Sequence, residues 1–136
     1  MNKSVLLAYH VLAGCCDAAT GALLLTSPAF TLHLMMLRAP GDALIYISFI
    51  GAFVLATGVI YLYGARIVLR DCCPTKLRTL WLLTALTRAS VAIFVTANVL
   101  AAALPSPWMM VAITDAACVL IQAIGLRKGW LISVQG

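Results

Sequence analysis

The clearest shortage in this sequence is charge. Only 10% of its 136 residues are charged, nine of them Lys or Arg and four of them Asp, whereas 64% are apolar. Soluble domains typically carry about 25% charged and about 45–50% apolar residues. A soluble fold of this size could not bury so much apolar surface, so the composition argues against an ordinary soluble domain and predicts an integral membrane protein.

The sequence signatures of soluble enzymes are also missing. The chain has no phosphate-binding loop, no dinucleotide fingerprint, no G-x-S-x-G and no H-E-x-x-H. Its positive residues fall in short clusters between apolar runs rather than along one helix face, which argues against nucleic-acid binding. The sequence identifies no cofactor and leaves open whether the protein is an enzyme.

Four apolar stretches are long enough to cross a hydrocarbon core, which takes about 20 helical residues. Pro and Asp near their ends separate them, at Ser27-Pro28, Pro40-Gly41-Asp42, 71–75 and Pro105-Ser106-Pro107. The predicted helices cover residues 4–26, 43–69, 75–104 and 108–126. Because the connections are short, the sequence predicts an all-α fold in which one transmembrane domain forms a four-helix antiparallel up-down bundle.

The positions of Lys and Arg predict the orientation of these helices. One side of the membrane would hold Lys3, Arg66, Arg70, Lys76, Arg78, Arg127 and Lys128. The first loop holds only Arg38 and the third has neither residue type. Cytoplasmic loops carry the excess of Lys and Arg, so both termini are expected in the cytoplasm and the protein in a bacterial inner membrane.

The start of the chain allows a second interpretation. Leu12-Ala13-Gly14-Cys15 fits the cleavage site of a bacterial lipoprotein, and cleavage there would leave a lipidated protein with three helices. The apolar run continues past Cys15 to Leu25, however, where a lipoprotein normally turns polar. This continuity favours an uncleaved first helix.

Three charged residues fall inside predicted helices: Asp17, Arg88 and Asp115. A charge at the bilayer centre costs ~2.5–3.5 kcal/mol, so these side chains should face the bundle interior and pair with one another. The sequence therefore predicts a buried ligand-binding site at this Asp/Arg/Asp cluster. Further lining residues would be Tyr61, Trp81, Thr84, Asn98 and Gln122. The structural alternative is a charge lock that only fixes the helix register.

The first helix carries one stripe with the spacing of a single helix face. The stripe consists of His10, Gly14, Asp17 and Gly21. A histidine one heptad from a buried aspartate can relay protons, although a histidine near the helix end is also typical of an interface. Gly14, Ala18 and Ala22 form a small-xxx-small row, which predicts a tight helix contact within one chain or between chains.

Two pairs of adjacent cysteines, Cys15-Cys16 and Cys72-Cys73, lie in the first helix and in the second loop. Soft thiolates select soft metals such as Cu(I), whereas buried cysteine also serves simply as a small apolar residue. Gly14-Cys15-Cys16 and Asp71-Cys72-Cys73-Pro74 resemble the small bacterial mercuric-ion membrane transporters. The resemblance implies soft-metal transport through these four thiols. The resemblance is confined to those segments. The proline that follows the first cysteine pair in that family is absent here, where the chain continues with Asp17-Ala18-Ala19.

Four classes of function remain open after these observations. The first is binding or translocation of a small ligand or proton at the Asp/Arg/Asp cluster. The second is an accessory or assembly subunit of a larger membrane complex. The third is a membrane-embedded isomerase or cyclase that uses Asp17 and Asp115 on a lipid-like substrate, and the fourth is thiol-mediated metal transport. The expected partners are the lipid bilayer and either further copies of the chain or a larger membrane complex.

Overall fold

A computed structural model of the protein describes residues 2–70 and 73–131. These residues form helices and contain no strand, which confirms the all-α fold class. The helices are α1 (Lys3–Thr26), α2 (Pro28–Leu34), α3 (Leu44–Arg70), α4 (Pro74–Leu100) and α5 (Met109–Arg127). Short 3-10 turns at Gly41–Ala43 and Ser106–Trp108 precede α3 and α5.

Four helical segments are long and apolar enough to cross a membrane. They are Lys3–Thr26, Gly41–Arg70, Pro74–Leu100 and Ser106–Arg127. Large apolar side chains on these helices remain widely exposed, as Ile45 at 70%, Phe53 at 60% and Ile93 at 70% show. Long apolar helices with such exposed faces suggest a membrane protein.

The described residues divide into two compact units, each built around one helical hairpin. In the first hairpin α1 packs antiparallel against α3, since Gly14 lies beside Leu62 and Gly21 lies beside Gly51. In the second hairpin α4 packs antiparallel against α5. A single domain and an up-down bundle of all four long helices stay predictions.

Small residues bring the two backbones of the first hairpin into contact. A Cβ atom on Gly21 would lie 2.6 Å from Cα of Leu55 and 2.8 Å from the carbonyl oxygen of Gly51. A Cβ atom on Gly58 would lie 2.8 Å from Cα of Ala18. Such distances admit no side chain, so glycine is required for this close approach.

The small-residue row that the sequence predicts differs in its last member. Gly14 and Ala18 do contact α3, but Ala22 is exposed and Gly21 lies in the contact instead. An α-helix has 3.6 residues per turn, so a face that starts at Gly14 passes closer to its seventh following residue than to its eighth. The tight contact itself was predicted, and it lies within one chain.

Helix α4 ends at Leu100, whereas the sequence predicted an end at 104. Ala102 adopts a left-handed conformation with φ 57°. The N–H of Ala103 then donates to the carbonyl of Asn98 at 2.9 Å, and that of Ala102 donates to Val99 at 3.0 Å. This pair of bonds is a Schellman motif, which closes the helix. Glycine is the usual residue at the left-handed position, so alanine offers no stop signal in the sequence.

Replacing Ala102 with glycine should raise the free energy of unfolding by about 1 kcal/mol. A left-handed conformation costs an L-residue roughly 1–2 kcal/mol and costs glycine almost nothing, while the freer unfolded chain offsets part of the gain. Ala97→Gly is the matched control, because the exposed Ala97 lies inside α4 and should lose about 0.5–1 kcal/mol. Denaturant titration of the detergent-solubilised protein measures both. A destabilised Ala102→Gly variant would contradict the left-handed assignment.

Candidate functional site

The second hairpin contains a buried ion pair between its two helices. Arg88 on α4 donates from Nη1 to Oδ1 of Asp115 on α5, and each residue is only 8% exposed. Arg88 lies on the buried stripe of α4, one turn after Thr84 and one turn before Ala92. Two charged groups inside an apolar helix pair compensate each other's desolvation only when they meet in this way.

A second polar contact lies next to the ion pair on the same faces of the helices. Gln122 donates from Nε2 to Oγ1 of Thr84 at 2.7 Å, and Thr84 donates in turn to the carbonyl of Leu80 at 2.9 Å. Gln122 is fully buried and Thr84 is 3% exposed. We refer to Thr84, Arg88, Asp115 and Gln122 as the polar ladder. Its two rungs are about 6 Å apart along α4, the rise of four helical residues.

Apolar residues close the polar ladder at both ends. Beyond the Gln122 rung, the fully buried Trp81 packs on the backbone of α5, where a Cβ atom on Gly125 would lie 3.0 Å from its Cη2 atom. Beyond the ion pair, the buried residues are Ala92 and Val95 on α4 and Ala112 on α5. The hairpin therefore presents one compact polar region between apolar ends.

The predicted lining residues are placed differently with respect to this ladder. Thr84 and Gln122 belong to it, and Trp81 borders it. Asn98 is partly buried three turns beyond Arg88, and its amide donates to the carbonyl of Phe94 at 2.8 Å. The Asn98 side chain thus bonds to the backbone of its own helix and is not part of the ladder.

Two other predicted site residues belong to the first hairpin. Asp17 is half-buried on α1, and Tyr61 is fully buried on α3. A joint cluster of Asp17 with Arg88 and Asp115, and a cavity that joins Tyr61 to Trp81, stay predictions.

Three aromatic side chains of the first hairpin form a cluster that the sequence interpretation missed in part. The hydroxyl oxygens of Tyr9 and Tyr61 are 3.5 Å apart, and the His10 ring centroid lies 5.8 Å from that of Tyr61. His10 and Tyr61 are fully buried. The sequence related His10 to Asp17 instead, because the two lie one heptad apart on one stripe of α1, and it related Tyr61 to a cavity with Trp81. Two phenols beside an imidazole form a group of proton donors and acceptors.

The structure describes three of the four cysteines proposed as soft-metal ligands. Cys15 and Cys16 are both exposed on α1, and Cys73 is half-exposed just before α4. Cys72 lies outside the described residues. The buried face of α1 runs through Gly14 and Gly21, which leaves both thiols off it. Within residues 2–70 and 73–131, no three His, Cys, Asp or Glu side chains are grouped to hold a metal ion, and metal transport stays a prediction.

Comparisons with known proteins add no family to this picture. The likeness to mercuric-ion transporters is confined to the segments around the two cysteine pairs, and nothing in the geometry of the polar ladder depends on it. No protein-family model, no curated protein and no solved structure matches the chain. The functional conclusion therefore rests on the side chains of the two hairpins.

Proposed function

We propose that this protein is an integral membrane protein that binds a small polar ligand, or passes a proton, at the polar ladder. One observation carries the proposal: the apolar α4–α5 hairpin buries an ion pair, Arg88–Asp115, directly beside a buried hydrogen-bonded pair, Thr84–Gln122. Ionisable residues inside a membrane are costly and rare, and they commonly mark ligand-binding sites or proton paths.

The energetic balance supports a function rather than a purely structural role. A buried ion pair commonly contributes no more stability than apolar residues of similar volume, because the desolvation of both charges offsets their attraction. Arg88 lies near the midpoint of α4, where the cost of a charge in a bilayer is highest. Register between two helices could be fixed by one polar contact, yet this hairpin has two.

The chemistry of the ladder suits a small polar ligand. It combines a guanidinium, a carboxylate, an amide and a hydroxyl, which together offer both donors and acceptors. Ligand sites are typically apolar walls with a few convergent polar groups, and the ladder lies between Trp81 and the alanines of the opposite end. The carboxylate of Asp115 is the group that would accept and release a proton.

The orientation of the chain is part of this proposal. In the first hairpin Lys3, Arg66 and Arg70 lie at one end, and in the second hairpin the basic residues near the start of α4 and the end of α5 lie together. The excess of positive charge favours placing these ends and both termini in the cytoplasm. Labelling of a Lys128→Cys variant beyond that of the wild type, in intact cells and by a membrane-impermeant maleimide, would contradict this orientation.

The test compares the wild type with the double variant Arg88→Met/Asp115→Leu. Native mass spectrometry of the detergent-purified protein reports a retained small molecule and the number of associated copies, and a pH-sensitive dye in proteoliposomes reports proton flux. We expect the wild type to show a defined added mass or a flux, and the double variant to lose it at least tenfold while its helix content persists. Thr87→Val, an exposed change on α4, is the control and should behave like the wild type.

The remaining outcomes separate the rival functions. A folded double variant with undiminished binding and flux would mean that the ion pair is only a charge lock, and the proposal would be wrong. A wild type with neither an added mass nor a flux would also refute it and would favour an accessory subunit of a larger complex. An added mass of lipid size that depends on Asp115 would instead favour an isomerase or cyclase.

A further inference from the structure

The first hairpin carries an open groove where α2 connects α1 to α3. Its volume is about 520 Å³, which lies within the range of about 300–1,000 Å³ of small-molecule pockets. Its polar side chains are those of His33 and Arg38. Its apolar walls come from Leu32, Met36, Leu37 and Leu44. The groove therefore combines a cationic group with an apolar lining.

The charge of Arg38 stands apart from the other charges of the hairpin. Lys3, Arg66 and Arg70 lie at the opposite end, near the start of α1 and the end of α3. The side chain of Arg38 is exposed, and no carboxylate within residues 2–70 and 73–131 forms an ion pair with it. Neighbouring Asp42 thus leaves the guanidinium available for an external anion.

Apolar side chains next to the groove are unusually exposed. Phe30 and Leu34, one turn apart on α2, are 60% and 64% exposed, and Met36 is 83% exposed. Helix α1 ends at Thr26 and α3 begins at Leu44, so the groove lies at the end of both apolar spans. In a membrane this level is the boundary between headgroups and hydrocarbon, where apolar side chains enter the lipid and Arg reaches the headgroups.

We propose that this groove holds the phosphate headgroup of an anionic phospholipid. The guanidinium of Arg38 meets the phosphate through charge-assisted hydrogen bonds, which Arg forms in a two-point geometry. The imidazole of His33 supplies a second polar contact, and the acyl chains lie along Phe30, Leu34 and Met36. The inference rests on the proposed membrane location but not on the polar ladder, so it can fail while the ladder proposal holds.

The experiment is a lipid titration followed by native mass spectrometry of the detergent-purified protein. The probes are phosphatidylglycerol and phosphatidylcholine with identical acyl chains. We expect the wild type to prefer phosphatidylglycerol, and Arg38→Gln to weaken that lipid about fivefold, the effect of roughly one lost cation–headgroup contact. Arg70→Gln removes the same charge from the other end of the hairpin and should keep the preference.

A second variant keeps the test decisive if Arg38→Gln fails to fold. Arg38→Lys keeps the charge but loses the two-point contact, so it should retain an intermediate preference even if circular dichroism shows that Arg38→Gln has lost helix content. Equal binding of the two lipids by the wild type, or equal losses in Arg38→Gln and Arg70→Gln, would overturn the proposal. Full competition by glycerol 3-phosphate at the lipid's own concentration would also overturn it, since the site would then take a free anion.

Discussion

Replacing Gly21 with alanine should lower the free energy of unfolding by about 3 kcal/mol, the upper part of the usual range for overpacking. The added Cβ atom would lie 2.6 Å from Cα of Leu55 and 2.8 Å from the carbonyl oxygen of Gly51. Both are backbone atoms, so no side-chain rotation can relieve the contact. The helices α1 and α3 would have to separate along the whole hairpin, and much of the packing around Ala18 and Gly58 would be lost.

Gly41→Ala is the matched control for this prediction. A Cβ atom on Gly41 would meet no atom within 4 Å, and the residue precedes α3 in a short turn. We expect this change to stay within about 0.5 kcal/mol of the wild type. Titration with sodium dodecyl sulphate in mixed micelles, followed by circular dichroism, measures both variants. Equal stability of Gly21→Ala and Gly41→Ala would show that the backbones of α1 and α3 are not in contact at Gly21.

The long helices were predictable because two independent signals coincide at their ends. An apolar run of bilayer length predicts the span, and Ser27-Pro28 and Pro105-Ser106-Pro107 mark its limits. The end of α4 was not predictable in this way, because the left-handed turn is made by Ala102 rather than by glycine. Helix α2 was missed as well, since seven residues are too few to show a hydrophobic period.

The sequence predicts the composition of the candidate site and a pairing of Arg88 with Asp17 and Asp115. The cost of a buried charge implies that Arg88 must meet a carboxylate, and within the second hairpin that carboxylate is Asp115. The contact of Gln122 with Thr84 depends on how α5 is rotated about its axis, which no residue count reveals. Asn98 illustrates the limit, because ten residues beyond Arg88 a helix has turned about 80° away from the original face.

The largest energetic effect should come from dividing the ion pair rather than from removing it. Arg88→Met leaves the carboxylate of Asp115 buried without its cation, and breaking a buried pair in this way costs about 3–5 kcal/mol. Asp115→Leu removes the carboxylate that Arg88 contacts through Nη1 and should also lower the free energy of unfolding. The double variant replaces both charges with apolar groups, and Leu is larger than the Asp it replaces, so we expect it to lie within about 2 kcal/mol of the wild type.

A double-mutant cycle makes this expectation quantitative. Unfolding in mixed micelles gives the free energy of the wild type, both single variants and the double variant, and the coupling should reach at least about 2 kcal/mol because the residues are in direct contact. Additive single effects would show that Arg88 and Asp115 act independently, and the ion pair would then carry no argument. A double variant about as stable as the wild type would show that the hairpin does not need these charges for stability. The charges would then act either through what they bind or move or as a charge lock that fixes the helix register. The flux and mass measurements on the same double variant distinguish these two roles.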